Sequence, residues 1–177
     1  MNYRHAFHAG NFADVVKHLA LVAILLHLAR KNSAFAVIDT HAGRGLYDLR
    51  GEEAERTGEA QKGIGRILSA PEDASFPSLL RRYIEIVKAT GNGFYPGSPL
   101  IAAQLLRPHD RFVGIEKHRE DAAALAKALP PVGNVRSECA DGYARLKALL
   151  PPPERRGLVL TEPACESPDA CHQGAEA

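Results

Sequence analysis

Short apolar runs alternate with amphipathic stretches through most of the chain. Each run is bounded by glycine, proline or acidic residues, and its length is typical of a buried strand. Helical patterns over residues 121–129 and 143–150 separate the later runs. Because strands and helices of this length alternate, the pattern predicts an α/β fold with a mostly parallel, doubly wound sheet. The predicted strands are residues 34–39, 112–116, 134–139 and 158–161.

A longer apolar stretch lies near the N-terminus. Asn11 or Asp14 can cap a helix that runs to about residue 30. Residues 19–29 are apolar enough to resemble the core of a signal peptide, but charged residues precede them and Arg30-Lys31 follows where small residues should be. The stretch is also too short to span a bilayer. The pattern therefore favours a buried helix.

The middle of the chain lacks a clear strand pattern. Between residues 46 and 109 we expect helices at 52–68 and 77–89, with breaks at the glycine and proline clusters of 91–93 and 96–99. This predicts a helical insertion after the first strand. The expected organisation is a first part over residues 1–45, an insertion subdomain over 46–110 and the remainder of the sheet over 111–177.

Length and composition suit one soluble domain, or most of one. The net charge of +1 offers no global argument for a polyanionic partner, although the first fifty residues hold six Lys or Arg against three acids. That basic segment could contact phosphate or could be an ordinary solvated surface. Cys139, Cys165 and Cys171 have no metal-ligand spacing, so we expect free thiols in a reducing cytoplasm and no metal.

An acidic residue ends or closely follows every predicted strand: Asp39, Glu116, Asp141 and Glu162. The carboxyl ends of parallel strands meet at one edge of a sheet, where open α/β folds bind their ligands. A single acid at such a place is more often a helix cap or turn residue, and Asp141 before Gly142 could be only that. Taken together, the four acids indicate a cleft that binds hydroxyls, amines or a cation.

A glycine turn after the first strand narrows the ligand. Residues 43–48 match only two glycines of the dinucleotide fingerprint, and no Gly-Lys-Ser or Gly-Lys-Thr phosphate loop is present, which disfavours NAD and ATP. A nucleoside ligand without phosphates fits better. The protein backbone at Gly43 could come close to such a ligand, and Glu116 could accept hydrogen bonds from its ribose hydroxyls.

The chain carries five further motifs, at residues 3–18, 39–43, 55–59, 95–99 and 140–142. In this order they resemble the motifs of the bacterial 23S rRNA adenine-N6 methyltransferase family RlmJ, some members of which carry the label of proteins involved in catabolism of external DNA. The similarity runs from the N-terminus to about residue 160. It implies a class I methyltransferase fold that uses S-adenosylmethionine and acts as a cytoplasmic monomer, away from membranes, on 23S rRNA that is free or in an assembling large subunit.

The resemblance also implies roles for individual residues, assigned by their positions in these motifs. Those matching the family's contacts to the target adenine are Tyr3, His5 and Lys17. Those matching its cofactor contacts are His18, His41, Ser98, Glu116, Asp141, Gly142 and Glu162. Glu162 also occupies the position of the catalytic acid. In this chemistry the carboxylate and the neighbouring carbonyl accept the hydrogens of the adenine amine, and an aromatic ring stacks on the flipped base.

The chain departs from the family's catalytic motif, which is Asp-Pro-Pro followed by an aromatic residue. The matching positions are Glu162, Pro163, Ala164 and Cys165. Glutamate adds a methylene, and the stacking ring is absent. We also expect further strands of the fold to be missing after residue 161, so that this strand lies at an open apolar edge. Two alternatives to an active methyltransferase therefore stay open: a catalytically impaired remnant that binds S-adenosylmethionine or RNA, and a role in the use of external DNA.

Overall fold

The computed structural model describes residues 5–71 and 75–162. Its strands are β1 (Ala36–Asp39), β2 (Leu46–Asp48), β3 (Phe94–Pro96), β4 (Arg111–Glu116), β5 (Val135–Cys139) and β6 (Gly157–Leu160). Its helices are a 3₁₀ turn at His5–Phe7 and then α1 (Phe12–Ala29), α2 (Glu52–Thr57), α3 (Glu59–Lys62), α4 (Ile64–Ser69), α5 (Ser78–Ala89), α6 (Ser98–Leu105), α7 (Arg119–Ala128) and α8 (Gly142–Leu149).

Four strands form a parallel sheet in the order β5-β4-β1-β6 within the described residues. β1 lies between β4 and β6, with Ala36 opposite Arg111 on one side and opposite Gly157 on the other. All four strands therefore end at the same edge of the sheet, and the predicted parallel α/β fold is confirmed. β6 is the outermost strand on its side in this part of the chain, and Val159 is exposed there.

Apolar side chains from alternate strand positions fill two clusters, because successive residues of a strand point to opposite faces. Val37 and Phe112 belong to the larger cluster, together with residues of α1, α5, α6 and α7. Ile38 and Val113 belong to the smaller cluster, where Leu146 of α8 covers them. The sheet is thus covered on both faces, as a parallel sheet requires.

α1 is a core helix. Asn11 caps it by accepting a hydrogen bond from the backbone N–H of Asp14 at 2.9 Å, which decides between the two predicted caps. By length and a hydropathy of 1.8, α1 passes a composition test for crossing a membrane, a test that core helices also pass. Here it packs against α5 and α6, and Leu21, Val22 and Leu25 are buried.

The expectation of a strand-free middle segment is wrong. β2 and β3 pair antiparallel, with Tyr47 opposite Tyr95, and each strand has only three residues. Strands this short carry no readable periodicity, and their partners are far apart in the sequence. α6 also begins inside the predicted break, because Pro99 lies in its first turn, where proline is tolerated. The predicted helix over 52–68 is divided into α2, α3 and α4.

Candidate active site

The predicted acids converge at the carboxyl edge of the parallel sheet. Asp39 and Glu116 end β1 and β4, whereas Asp141 and Glu162 follow β5 and β6. His41 lies among them: burial lowers the pKa of its imidazole, and the charges of Glu116, Asp141 and Glu162 partly offset that effect. All four acids therefore lie at one edge of the sheet, and three of them are close enough to the half-buried His41 for their charges to act on its imidazole.

Glu116 is fastened to the backbone of two loops. Its carboxylate accepts a hydrogen bond from the N–H of Gly43 at 2.9 Å and another from the N–H of His118 at 2.7 Å. Gly43 has a φ of +61°, a left-handed conformation that glycine adopts without strain. Each carboxylate oxygen can accept more than one hydrogen bond, so Glu116 can still bind a ligand hydroxyl. The glycine turn and this acid form one unit.

Asp39 is a buried acid at the end of β1. The sequence predicts its place at the strand end but not its burial or its hydrogen bonds. It is 1% exposed, and its carboxylate accepts hydrogen bonds from Ser98 Oγ at 2.7 Å and from the backbone N–H of His41 at 3.2 Å. Burial raises the pKa of Asp39 to about 6, although the hydrogen bond from Ser98 opposes the rise. In this structure Ser98 therefore positions the end of β1 through Asp39.

Asp141 does cap a helix, as the simpler interpretation had it. Its side chain accepts from the N–H of Ala144 at 3.2 Å at the start of α8, and it pairs with Lys117 at 2.9 Å. The hydrogen bond from Lys117 lowers the pKa of Asp141. Gly142 lies directly against the backbone of Thr40, where a Cβ would stand 2.9 Å from the Thr40 Cβ and closer still to its carbonyl oxygen. The glycine thus allows α8 to approach the end of β1.

His18 lies in the core and is fully buried. Its Nδ1 is 2.7 Å from the hydroxyl of Tyr95, which is in turn 2.8 Å from the hydroxyl of Tyr83. Burial and the charge of Lys17 lower the pKa of His18 to about 3, so its ring is neutral at pH 7. In the described part of the chain, its Nε2 is the one buried side-chain polar atom that lacks a hydrogen-bond partner.

A second buried acid, Asp14, lies beside the cleft. Its carboxylate contacts His5 Nε2 at 3.0 Å and Lys17 Nζ at 2.8 Å. Lys17 Nζ continues to Glu162 Oε2 at 2.5 Å. The chain Asp14–Lys17–Glu162 therefore joins α1 to the end of β6, and His5 is attached to the same acid. Sequence reasoning considered Asp14 only as a helix cap and within a motif.

The structure brings most of the predicted residues together, although their contacts to ligands stay predictions. The imidazole of His41 lies within range of the charges of Glu116, Asp141 and Glu162. The predicted adenine contact Tyr3 and positions 163–165 of the altered motif lie outside the described residues. Within residues 5–71 and 75–162, the structure holds no group of three or more His, Cys, Asp or Glu side chains that could bind a metal ion.

A groove of about 580 Å³ lies elsewhere on the sheet. Its walls include Ala36 at the start of β1, Gly157 at the start of β6 and the prolines of residues 151–153. None of the predicted site residues lines it. The groove therefore lies beside β6 and β1 and is separate from the predicted site residues at the carboxyl edge of the sheet.

Comparison with known proteins adds an independent line of evidence. The family model described as ribosomal RNA large subunit methyltransferase D, RlmJ, matches residues 32–176. Ribosomal RNA large subunit methyltransferase J of Haemophilus influenzae is 43% identical over 174 residues, which are 96% of this chain and 61% of the relative. The Escherichia coli protein of that name is 45% identical over 170 residues, 94% of this chain and 60% of the relative.

A solved structure is similar as well. The crystal structure of protein LPL1258 from Legionella pneumophila has a TM-score of 0.81 and 37% sequence identity to this chain, and the match covers 93% of this chain and 61% of that one. The chain thus spans about three fifths of the length of the relatives that it matches.

Proposed function

The chain belongs to the ribosomal RNA large subunit methyltransferase J family, and from this premise we propose that it transfers a methyl group from S-adenosylmethionine to N6 of an adenine in 23S rRNA. The observation that carries the proposal is the contact of 2.5 Å between Lys17 and Glu162. In this contact Glu162, which matches the family's catalytic acid by its position in the sequence, lies beside a cation of the N-terminal motif. Both groups stand at the edge of the sheet where such folds bind their ligands.

The residues at this edge fit the proposed cofactor. The left-handed turn at Gly43 gives close access to the backbone, and Glu116 beside it has spare acceptor capacity for ribose hydroxyls. Asp141 at the start of α8 can accept from an adenine amine. The unpaired Nε2 of buried His18 is a costly feature in a core, which supports a functional reason for this histidine. These residues, with His41 and Ser98, would hold S-adenosylmethionine.

Bound S-adenosylmethionine would supply an electrophilic methyl group on a sulfonium. The protein's part is then positioning. Glu162 accepts a hydrogen bond from the adenine amine and aims the nitrogen lone pair at the methyl carbon. Glu162 or water would accept the proton that N6 must lose on methylation. Lys17 orients Glu162 through their ion pair.

The first experiment is titration of the purified chain with S-adenosylmethionine in a calorimeter. We expect binding to the unaltered chain and a loss of affinity of about tenfold or more in Asp141→Ala, because a hydrogen bond to a charged group is removed. Asp48→Ala is the matched control, since Asp48 is an exposed acid that pairs with Arg50. If the folded, unaltered chain does not bind S-adenosylmethionine, or if Asp141→Ala and Asp48→Ala bind it with equal affinity, the proposed cofactor site is contradicted.

A second candidate function is binding without turnover, and the sequence Glu162-Pro163-Ala164-Cys165 favours it. A carboxylate misplaced by about 1 Å can cost on the order of a hundredfold in rate. Loss of the stacking ring removes a further ~1–3 kcal/mol per base. The discriminating variant is Glu162→Asp combined with Ala164→Pro and Cys165→Tyr, assayed for methyl transfer to unmodified large-subunit rRNA. A rise in rate over the unaltered chain assigns the deficit to the motif. An equal rate in both assigns it elsewhere.

A further inference from the structure

One carboxylate, that of Asp14, organises the N-terminal side of the cleft. It is 2% exposed, and Oδ1 accepts from Lys17 Nζ at 2.8 Å. Oδ2 accepts from the backbone N–H of Gly10 at 2.9 Å and lies 3.0 Å from His5 Nε2. A single buried group thus fixes the N-terminal 3₁₀ turn and a side chain of α1 relative to each other.

This carboxylate is not needed to start the helix. Asn11 already caps α1, and it does so through the backbone N–H of Asp14, which leaves the Asp14 side chain for other partners. Burial alone would raise the pKa of Asp14, but the hydrogen bond and charge of His5, with help from the charge of Lys17, hold that pKa far below its usual range. Asp14 is therefore a permanent anion that accepts from two side chains at the cleft.

We propose that Asp14 is a positioning residue that orients the His5 imidazole and the Lys17 ammonium toward the target base and Glu162. The roles of His5 and Lys17 as base contacts rest on the proposed function, whereas the geometry around Asp14 does not. Without Asp14, Lys17 keeps only the half-exposed Glu162 among its ion-pair partners in the described residues, and His5 loses its tie to α1. Lys17 would then sample orientations that do not meet a base, and His5 would keep its ring contact with Tyr47 but lose the hydrogen bond that orients its imidazole toward α1.

The first test needs neither cofactor nor RNA. The rate at which an acylating reagent modifies Lys17 is measured by mass spectrometry, relative to the exposed Lys62 and Lys147. Asp14→Asn removes a charged partner from Lys17, so we expect its modification to accelerate on the order of tenfold. The matched control is Asp110→Asn, a buried acid at the opposite edge of the sheet that binds Arg107 and the N–H of Phe35. An unchanged Lys17 rate in Asp14→Asn overturns the proposal.

The second test separates positioning from general structure by a double-mutant cycle. The affinity for a short, fluorescein-labelled, adenine-containing single-stranded oligoribonucleotide is measured by anisotropy. We expect Asp14→Asn to weaken binding about tenfold in the unaltered chain and less than twofold in a His5→Gln/Lys17→Met background. A loss of equal size in both backgrounds shows that Asp14 acts through the fold alone and overturns the proposal.

The two failures are distinguishable. If the unaltered chain binds no RNA, the proposed substrate is wrong, and the Lys17 modification rate alone decides the claim about Asp14. If RNA binds but Asp14→Asn changes neither the affinity nor the Lys17 rate, the proposed function stands and the positioning role falls.

Discussion

Lys17 Nζ lies 2.5 Å from Glu162 Oε2 and 2.8 Å from Asp14 Oδ1, so one ammonium bridges a buried acid and a half-exposed one. The two acids differ in burial: the side chain of Asp14 is 2% exposed and that of Glu162 is 47% exposed. Burial alone would lower the pKa of Lys17, but the charges of Asp14 and Glu162 outweigh it and raise the pKa. The lysine is therefore charged at any pH at which the protein would work.

Because the two acids differ in burial, we expect substitutions of Glu162 and of Lys17 to change the free energy of unfolding by different amounts. Glu162→Gln removes a partner that water can replace, and we expect a change of about 0–1 kcal/mol in the free energy of unfolding. Lys17→Met leaves the Asp14 carboxylate buried without its cation, and we expect a loss of about 1–3 kcal/mol. Urea unfolding at pH 7 measures both. Equal losses, or a larger one in Glu162→Gln, would contradict the bridge as described.

Asp39 predicts a distinctive pH dependence of stability. Because burial raises its pKa from 3.8 to about 6, the folded state holds a proton that the unfolded state has released. The contribution of Asp39 to stability is therefore fully present below about pH 4 and is lost as the pH rises to about 6. From the size of the shift, the loss is on the order of 2–3 kcal/mol.

Asp39→Asn cannot lose this proton, so its stability relative to the unaltered chain should improve as the pH rises from 4 to 7. Asp110→Asn is the control, and its difference in stability from the unaltered chain should stay nearly constant from pH 4 to 7. Burial would raise the pKa of Asp110, but its hydrogen bonds from Arg107 outweigh that and lower it, so Asp110 stabilises the fold above the unfolded pKa. Urea unfolding at four pH values between 4 and 7 compares the variants. A flat difference for Asp39→Asn would show that its carboxyl titrates normally.

Much of the fold was predictable because its evidence is local. The strands at residues 36–39, 111–116, 135–139 and 157–160 each follow a short run that ends in a turn, and the structure shifts their predicted bounds by only one or two residues. Alternation with helices then dictated a parallel sheet. β2 and β3 were missed because each is held by pairing across about fifty residues of sequence and not by its own pattern.

The convergence of the strand-end acids on one edge of the sheet was predictable, but the hydrogen bonds around them were not, and the ligand contacts of these residues stay predictions. A carboxyl after each parallel strand predicts a shared cleft, and the charges around His41 agree. No spacing rule connects Asp14 with His5 or Ser98 with Asp39, since those contacts depend on how α1 and α6 pack. His18 shows the limit most clearly, because its partner Tyr95 lies on β3, a strand that the sequence did not reveal.

The buried chain of His18, Tyr95 and Tyr83 predicts an order of stability losses. Tyr95→Phe removes the hydroxyl that contacts both neighbours and leaves two buried polar groups unpaired, each at a cost of about 1–3 kcal/mol. Tyr83→Phe leaves the Tyr95 hydroxyl bound to His18, so its cost should stay near 1 kcal/mol. Thermal and urea unfolding of the two variants give the comparison. A larger loss in Tyr83→Phe would require a different hydrogen-bond arrangement.

Gly142 predicts a link between packing and cofactor binding. A Cβ at this position would run into the carbonyl oxygen of Thr40 and stand 2.9 Å from the Thr40 Cβ, so α8 would have to move away from the end of β1. Gly142→Ala should therefore destabilise the protein by about 1–3 kcal/mol, as overpacking does. Since α8 also carries Asp141 at its cap, the same movement should weaken binding of S-adenosylmethionine more than tenfold.

Gly133→Ala is the matched control, because a Cβ there meets no atom within 4 Å. We expect its stability to stay within about 0.5 kcal/mol of the unaltered chain, as for other exposed substitutions, with cofactor affinity unchanged. Urea unfolding and calorimetric titration on both variants separate two possibilities. If Gly142→Ala loses stability but keeps cofactor affinity, the contact with Thr40 is purely structural and Asp141 does not depend on it. If it loses both, the approach of α8 to β1 shapes the cofactor cleft.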